Sequence, residues 1–273
     1  MEQQIQVIQQ ADVLAAINSS EIDSQVATAH RFPRDVEQSL KKIEMLACVD
    51  EETASDCFYV LRRNGSGGET AIEGLSVRMA EIIASSWGNL RVQARIINND
   101  GKFVTAQGVC HDLESNYAVS KEVRRRITDR NGRTFSDDMI VVTGNAACAI
   151  AMRNAVLAVV PKAVTNAIVK RVKKVAMGQS LDVTTAKTQM VNYFAKLGVN
   201  TDQLCNYLQI SSIDEITKEH IFTMRATAQA IKEGTTTVKE TFAIPQQQNA
   251  DAQKALEAAK AAKEKAEKAM KKS

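Results

Sequence analysis

The residues whose type and spacing most suggest a chemical role are the lysines and arginines between Arg91 and Gly178. This segment holds 15 Lys and Arg against 7 Asp and Glu, a net charge of +8, although the net charge of the whole chain is only +3. Residues 1–90 carry −7. Basic charge that is clustered in a folded region is typical of a protein that binds a polyanion, most often nucleic acid.

Within this segment the sequence predicts two basic surfaces, one on a strand and one on a helix. Arg124 and Arg126 point to one side of the predicted strand and Arg125 to the other, because side chains alternate along a strand. A charged edge strand that discourages aggregation is the alternative for the first surface, and a solvated helix face is the alternative for the second. The candidate phosphate-contacting residues are Arg124, Arg126, Arg153, Lys162, Lys170, Arg171, Lys173 and Lys174.

Arg153 is unusual because it interrupts a small, apolar helix face. An unpaired charge is costly to bury, so its guanidinium requires an anionic partner. The sequence leaves two alternatives open: an internal carboxylate such as Asp137 or Asp138, or a phosphate of a bound ligand.

The sequence offers little for catalysis. His30, His111 and His220 lie far apart, and the glycine-rich segment 64–68 lacks the Lys-Ser/Thr of a nucleotide-binding loop. Asp112 and Glu114 could form a nuclease metal site, which is the weakest of the functions considered. We therefore expect a protein that is not an enzyme and that needs no cofactor.

Aromatic residues are few: one Trp, four Tyr and seven Phe. Most of them are needed for the core, so few remain to stack on bases. Binding is therefore expected to rely on the phosphate backbone and to tolerate different sequences.

The elements that would position these residues indicate an α+β fold. Alternating apolar and polar residues predict three antiparallel strands between residues 90 and 126, a β-meander. Helical spacing predicts helices at Ser76–Trp87, Met139–Val160 and from Pro161 to Met177. The predicted organisation is an N-terminal helical arm (1–24), an α+β DNA-binding core (25–178), a small helical module (179–245) and an Ala/Lys/Glu-rich tail (246–273), helical or disordered.

Composition also bears on location. The five cysteines show no metal-binding spacing and are predicted to be reduced thiols. The N-terminus lacks the basic and apolar blocks of a signal peptide, and the apolar run at 146–152 is broken by Arg153 and too short to cross a membrane. We expect a cytoplasmic protein.

Two segments resemble the phage single-strand annealing proteins of the RecT, Redβ and Erf group. The first runs from Gly74-Leu75-Ser76 through Gly88-Asn89-Leu90 into residues 94–103, and is similar to the helix-then-hairpin segment of RecT-type proteins. The second, residues 147–162, is similar to their alanine- and arginine-containing helix that closes on Val160-Pro161. Arg153-Asn154 stands where RecT-type proteins have paired arginines.

The resemblance implies a function and partners. It implies ATP-independent binding of single-stranded DNA, annealing of complementary strands through a duplex intermediate in phage recombination, and assembly as a homo-oligomer, a ring or helical filament, in the bacterial host cytoplasm. It also suggests that residues 179–273 recruit a partner such as a host single-strand binding protein or a phage exonuclease. The alternative is a non-enzymatic scaffold whose basic surface meets an acidic protein.

Overall fold

The N-terminal third of the chain is mostly helical. A computed structural model describes residues 2–65, 68–129, 131–178 and 182–242. Asp35 and Asp50 begin the second and third helices, where each carboxylate accepts a hydrogen bond from the backbone N–H three residues further on. The first three helices are α1 (Glu2–Arg31), α2 (Val36–Ala47) and α3 (Glu51–Asp56).

A β-hairpin follows. Strand β1 (Phe58–Gly65) pairs in antiparallel register with β2 (Gly68–Leu75). The sequence analysis did not predict β2, and the two ends of the glycine-rich segment 64–68 contribute to both strands. Residues 66 and 67 lie outside the described residues.

Helix α4 (Val77–Trp87) confirms the predicted Ser76–Trp87 helix. Ser76 caps it by accepting a hydrogen bond from the Met79 backbone N–H at 3.2 Å. Gly88 ends it with φ +83°, a conformation that favours glycine.

The predicted β-meander is confirmed as a three-stranded antiparallel sheet of order β3-β4-β5. Its strands are β3 (Leu90–Asn99), β4 (Phe103–Asp112) and β5 (Tyr117–Arg126). The register places Arg91 opposite His111 at one end of the sheet and Phe103 opposite Arg126 at the other end. The mixed α+β class that the sequence predicts is therefore correct.

One face of this sheet is covered by helix α5 (Asp137–Val159). A Cβ at Gly108 of β4 would collide with the backbone of Ala151, so only glycine allows the helix to lie this close. Ala106 and Ala147, both buried, complete the small-residue contact. The opposite face of the sheet carries exposed or half-buried side chains in the part of the chain that the structure describes.

Helix α6 (Lys162–Ala176) follows α5 after Pro161, as predicted. It packs against α2 and α3, away from the face of the sheet that α5 leaves open.

Among the described helices, α5 is long and apolar enough to cross a membrane, by length and composition only. The apolar stretch is thus longer than residues 146–152 suggest, because apolar residues on both sides of that run, beyond Arg153 as well, belong to the same helix. In the structure this helix packs against β4 and β5, as the core helix of a folded domain does.

The predicted small helical module (179–245) contains α7 (Val183–Lys196), α8 (Thr201–Leu208), a 3₁₀ turn (Ile213–Glu215), α9 (Lys218–Lys232) and α10 (Val238–Thr241). These helices enclose their own apolar cluster around Phe194 and Met224. Helix α9 also belongs to the main core, because its Phe222 ring meets Phe58 of β1 with centroids 5.5 Å apart. The predicted tail, residues 246–273, lies outside the described residues.

Candidate nucleic-acid interface

We call the side of the β3-β4-β5 sheet that faces away from α5 the open face. Every side chain on it is exposed or half-buried. Four arginines and one histidine lie on it against a single carboxylate, so the face is basic. Its members are Arg91, Gln93 and Arg95 from β3, Phe103, Thr105, Gln107, Val109 and His111 from β4, and Ala118, Ser120, Glu122, Arg124 and Arg126 from β5.

At one end of the open face, two arginines contact one aromatic ring. The Cζ atoms of Arg124 and Arg126 lie 4.1 Å and 5.5 Å from the centroid of Phe103. Such contacts hold guanidinium groups in place through the ring quadrupole. Arg124 also pairs with Asp100 at 2.7 Å, but both side chains are exposed, so a phosphate can compete for this arginine. The predicted common direction of Arg124 and Arg126 is confirmed.

At the other end lies Arg91, opposite His111, and midway along the sheet lies Arg95, opposite Gln107; neither was among the candidate site residues. Arg95 donates a hydrogen bond to Gln107 at 3.3 Å, and Arg91 contacts Gln25 of α1 at 2.9 Å. Eight residues of β4 separate the two ends, a span of about 27 Å. The arginines therefore mark a track along the sheet.

Arg125 points to the opposite side of β5, as predicted. Its guanidinium donates to the carbonyl oxygens of Gly234 and Thr235, just beyond the C-terminus of α9. Burial lowers the pKa of Arg125 from its ordinary value. This arginine fastens β5 to the turn after α9 and lies away from the open face.

Arg153 is buried, with 6 % of its surface exposed. Its partner is neither Asp137 nor Asp138 but Glu233 at the end of α9, with 3.9 Å between Nη1 and Oε2. Its guanidinium also lies over the Tyr59 ring at 4.6 Å. Of the two alternatives for Arg153, an internal carboxylate is the one found, and a phosphate cannot reach this guanidinium while α9 is in place.

Glu233 itself is held from several sides. Its Oε1 accepts hydrogen bonds from the backbone N–H of Val77, in the first turn of α4, and from the side chain of Gln229. Burial raises the pKa of Glu233, although these hydrogen bonds oppose the shift. The Arg153–Glu233 pair thus joins α4, α5 and α9 inside the molecule.

The basic residues of α6 form a separate surface, because α6 packs on α2 and α3. Arg171 pairs with Glu44 at 2.6 Å, and Lys173 pairs with Glu73 at 2.7 Å. Lys162, Lys170 and Lys174 are exposed. The predicted site residues therefore fall into three places: the open face, the buried pair and the α6 surface.

Asp112 and Glu114, the candidate nuclease pair, are both engaged by Arg34. The Nη2 atom of Arg34 lies 2.5 Å from Asp112 Oδ1, and its Nε lies 2.8 Å from Glu114 Oε1. Asn89 donates a further hydrogen bond to Glu114 at 2.6 Å, and Trp87 lies against the Arg34 guanidinium at 5.1 Å. Asp112 and Glu114 thus form partly buried structural ion pairs with Arg34. Within the described ranges no group of three or more His, Cys, Asp or Glu is arranged to hold a metal ion.

Comparison with known proteins finds no family model that matches the chain, and no curated protein sequence or solved structure that is similar to it. The resemblance to RecT-type annealing proteins therefore stays a prediction. Within the residues that it describes, the structure defines one surface: a solvent-exposed face of an antiparallel sheet that carries spaced arginines and one aromatic ring.

Proposed function

We propose that the protein binds single-stranded DNA along the open face and anneals complementary strands without nucleotide hydrolysis. The observation that carries the proposal is the arrangement of Arg91, Arg95, Arg124 and Arg126 along the open face, with Phe103 in contact with the last two. The resemblance to RecT-type proteins supplies the annealing step.

Charge and geometry support a single strand as the ligand. Guanidinium groups spaced over about 27 Å can neutralise successive phosphates, which gives affinity without reading the base sequence. One base can stack on Phe103 or on the guanidinium plane of Arg124. The remaining bases would stay accessible to a complementary strand, as annealing requires.

The homo-oligomer implied by the resemblance remains part of the proposal. The first turns of α5 expose Met139, Val141 and Val142, and α1 exposes Val13 and Ile17. Apolar surface of this kind is typical of contacts between protein chains. The proposed recruitment of a single-strand binding protein or an exonuclease would involve residues 179–273.

The test combines binding with annealing. A labelled oligothymidine would be titrated over a range of salt concentrations, and two complementary oligonucleotides would be annealed without ATP. Replacing Arg124 and Arg126 with Ala should weaken binding and make the salt slope shallower by about 1.4, since each phosphate contact on a single strand contributes about 0.7. Phe103→Ala should cost about 1–3 kcal/mol of binding free energy, the value of one stacked base.

The matched control is Lys170→Ala with Lys174→Ala, which also removes two exposed positive charges but on the α6 surface. This control should reduce affinity much less than the Arg124 and Arg126 pair. Equal losses would contradict an interface confined to the open face, and a larger loss from the control would place the interface on α6. Wild-type protein that does not bind the oligonucleotide but captures an acidic protein would favour the scaffold alternative.

A further inference from the structure

The C-terminal end of α1 lies beside the open face, next to β3. Ala29 is buried, and Asn89 donates a hydrogen bond to the carbonyl oxygen of Phe32, so the C-terminal end of α1 is fixed next to β3. Upstream of Ala29, the described side chains of α1 are mostly exposed. This helix therefore stands at the border of the proposed binding surface.

Two side chains of α1 hold Arg91. Gln25 Oε1 accepts a hydrogen bond from Arg91 Nη1 at 2.9 Å, and Glu21 Oε2 lies 3.5 Å from Arg91 Nη2. The Arg91 side chain is 14 % exposed, whereas that of Glu21 is 54 % exposed. The arginine at this end of the track is thus covered by an acidic side chain that itself remains in solvent.

A groove separates α1 from β3 at this point. It has a volume of about 500 Å³ and is lined by Ser24, Gln25 and Thr28 on one side and by Asn89, Arg91 and Gln93 on the other. The α1 wall carries hydroxyl and amide groups and the β3 wall carries amide and guanidinium groups, which can contact sugar and phosphate oxygens. Leu90, Val92 and Leu113 form the apolar part of the lining. The groove continues the open face toward α1.

We propose that Glu21 competes with phosphate for Arg91, and that a single strand entering the groove between α1 and β3 displaces it. This inference rests on the proposed function. A carboxylate that is half exposed gains little from its ion pair, so a phosphate can replace it. In the free protein the Glu21–Arg91 ion pair occupies the Arg91 guanidinium, and this lowers the affinity for single-stranded DNA.

The experiment is a double-mutant cycle on binding of labelled oligothymidine. Glu21→Gln should raise affinity about two- to fivefold at low salt, the range expected for an exposed ion pair. The salt slope should stay close to that of the wild type, because the strand contacts Arg91 in both complexes once Glu21 is displaced. In an Arg91→Ala background, Glu21→Gln should not raise the affinity in this way, because the guanidinium with which Glu21 pairs is absent.

Asp23→Asn is the matched control, because it removes one exposed negative charge from the same helix. It should give only the small gain that any lost negative charge gives. The inference would be overturned if Glu21→Gln raised affinity no more than Asp23→Asn does, or if its gain persisted without Arg91. Oligonucleotide binding by the wild type would in that case leave the proposed function standing. Absence of binding by the wild type would overturn both.

Discussion

Three consecutive arginines on β5 should respond to substitution in opposite ways. Arg124 and Arg126 lie on the open face, whereas Arg125 donates two hydrogen bonds to carbonyl oxygens beyond α9. We expect Arg125→Ala to reduce the stability of the fold and to leave the salt slope of DNA binding nearly unchanged. Arg124→Ala should do the reverse.

The size of the stability effect follows from the contacts of Arg125. Hydrogen bonds made by a charged group contribute about 1.5–3 kcal/mol, and the positive charge also sits favourably at a helix C-terminus. For a chain of this size each kcal/mol shifts the melting temperature by about 2–4 °C, so Arg125→Ala should lower it by about 3–12 °C. The exposed pair of Arg124 with Asp100 contributes about 0.2–1 kcal/mol, so Arg124→Ala should change the melting temperature little.

Two measurements on the same preparations separate these roles: thermal unfolding followed by circular dichroism, and the salt dependence of oligonucleotide binding. Arg125→Lys provides the control, because it keeps the charge but loses the planar fork that reaches both carbonyls. It should recover little of the lost stability. An Arg125→Ala variant that melts like the wild type, and whose salt slope falls as far as that of Arg124→Ala, would refute this division of roles.

Two further substitutions test the packing that positions the sheet. Arg34→Met should cost about 3–5 kcal/mol of unfolding free energy in urea denaturation, because it leaves Asp112 and Glu114 without their partner. Burial acts to raise the pKa of Glu114, but hydrogen bonds from Arg34 and Asn89 outweigh it, and the pKa lies below its ordinary value of 4.5. Glu114 therefore stabilises the fold above pH 4.5, and this contribution is lost as the pH falls below 4.5. Arg34→Met should flatten this dependence of the unfolding free energy on pH. An unchanged pH profile would contradict the structural role of the Arg34 ion pairs. Gly108→Ala should cost about 1–3 kcal/mol of unfolding free energy or prevent folding, because the new Cβ meets the Ala151 backbone. The control is Gly101→Ala, at a site with open space but φ +79°, which should cost only the backbone strain. Equal losses would show that packing on α5 is not the cause.

The sheet and its neighbouring helices follow from local patterns in the sequence. Alternation over residues 90–126 predicts the strands, and apolar spacing with Ser76, Gly88 and Pro161 predicts the ends of the helices. Strand β2 escapes this reasoning, because glycine and charged residues hide its alternation. The short helix α3 escapes it because six residues show no period.

The site is only partly readable from sequence, because its pairings are long-range. Alternation alone places Arg91 and Arg95 on the face opposite Val92 and Ala94, a signal that was available and not used. The register that brings Phe103 beside Arg126 depends on how strands pair, which a single strand's pattern does not contain. Likewise, nothing near Arg153 in the sequence indicates Glu233 as its partner.

Helix α9 makes the unfolding of the molecule cooperative. Phe222 packs into the core beside Phe58, Glu233 meets Arg153, and the turn at Gly234 receives Arg125. The two apolar clusters thus share one helix, so neither can lose its structure without exposing part of the other. The backbone amides of α9 should therefore exchange with solvent only through global opening, and the described parts of the chain on either side of residues 179–181 should behave as a single cooperative unit.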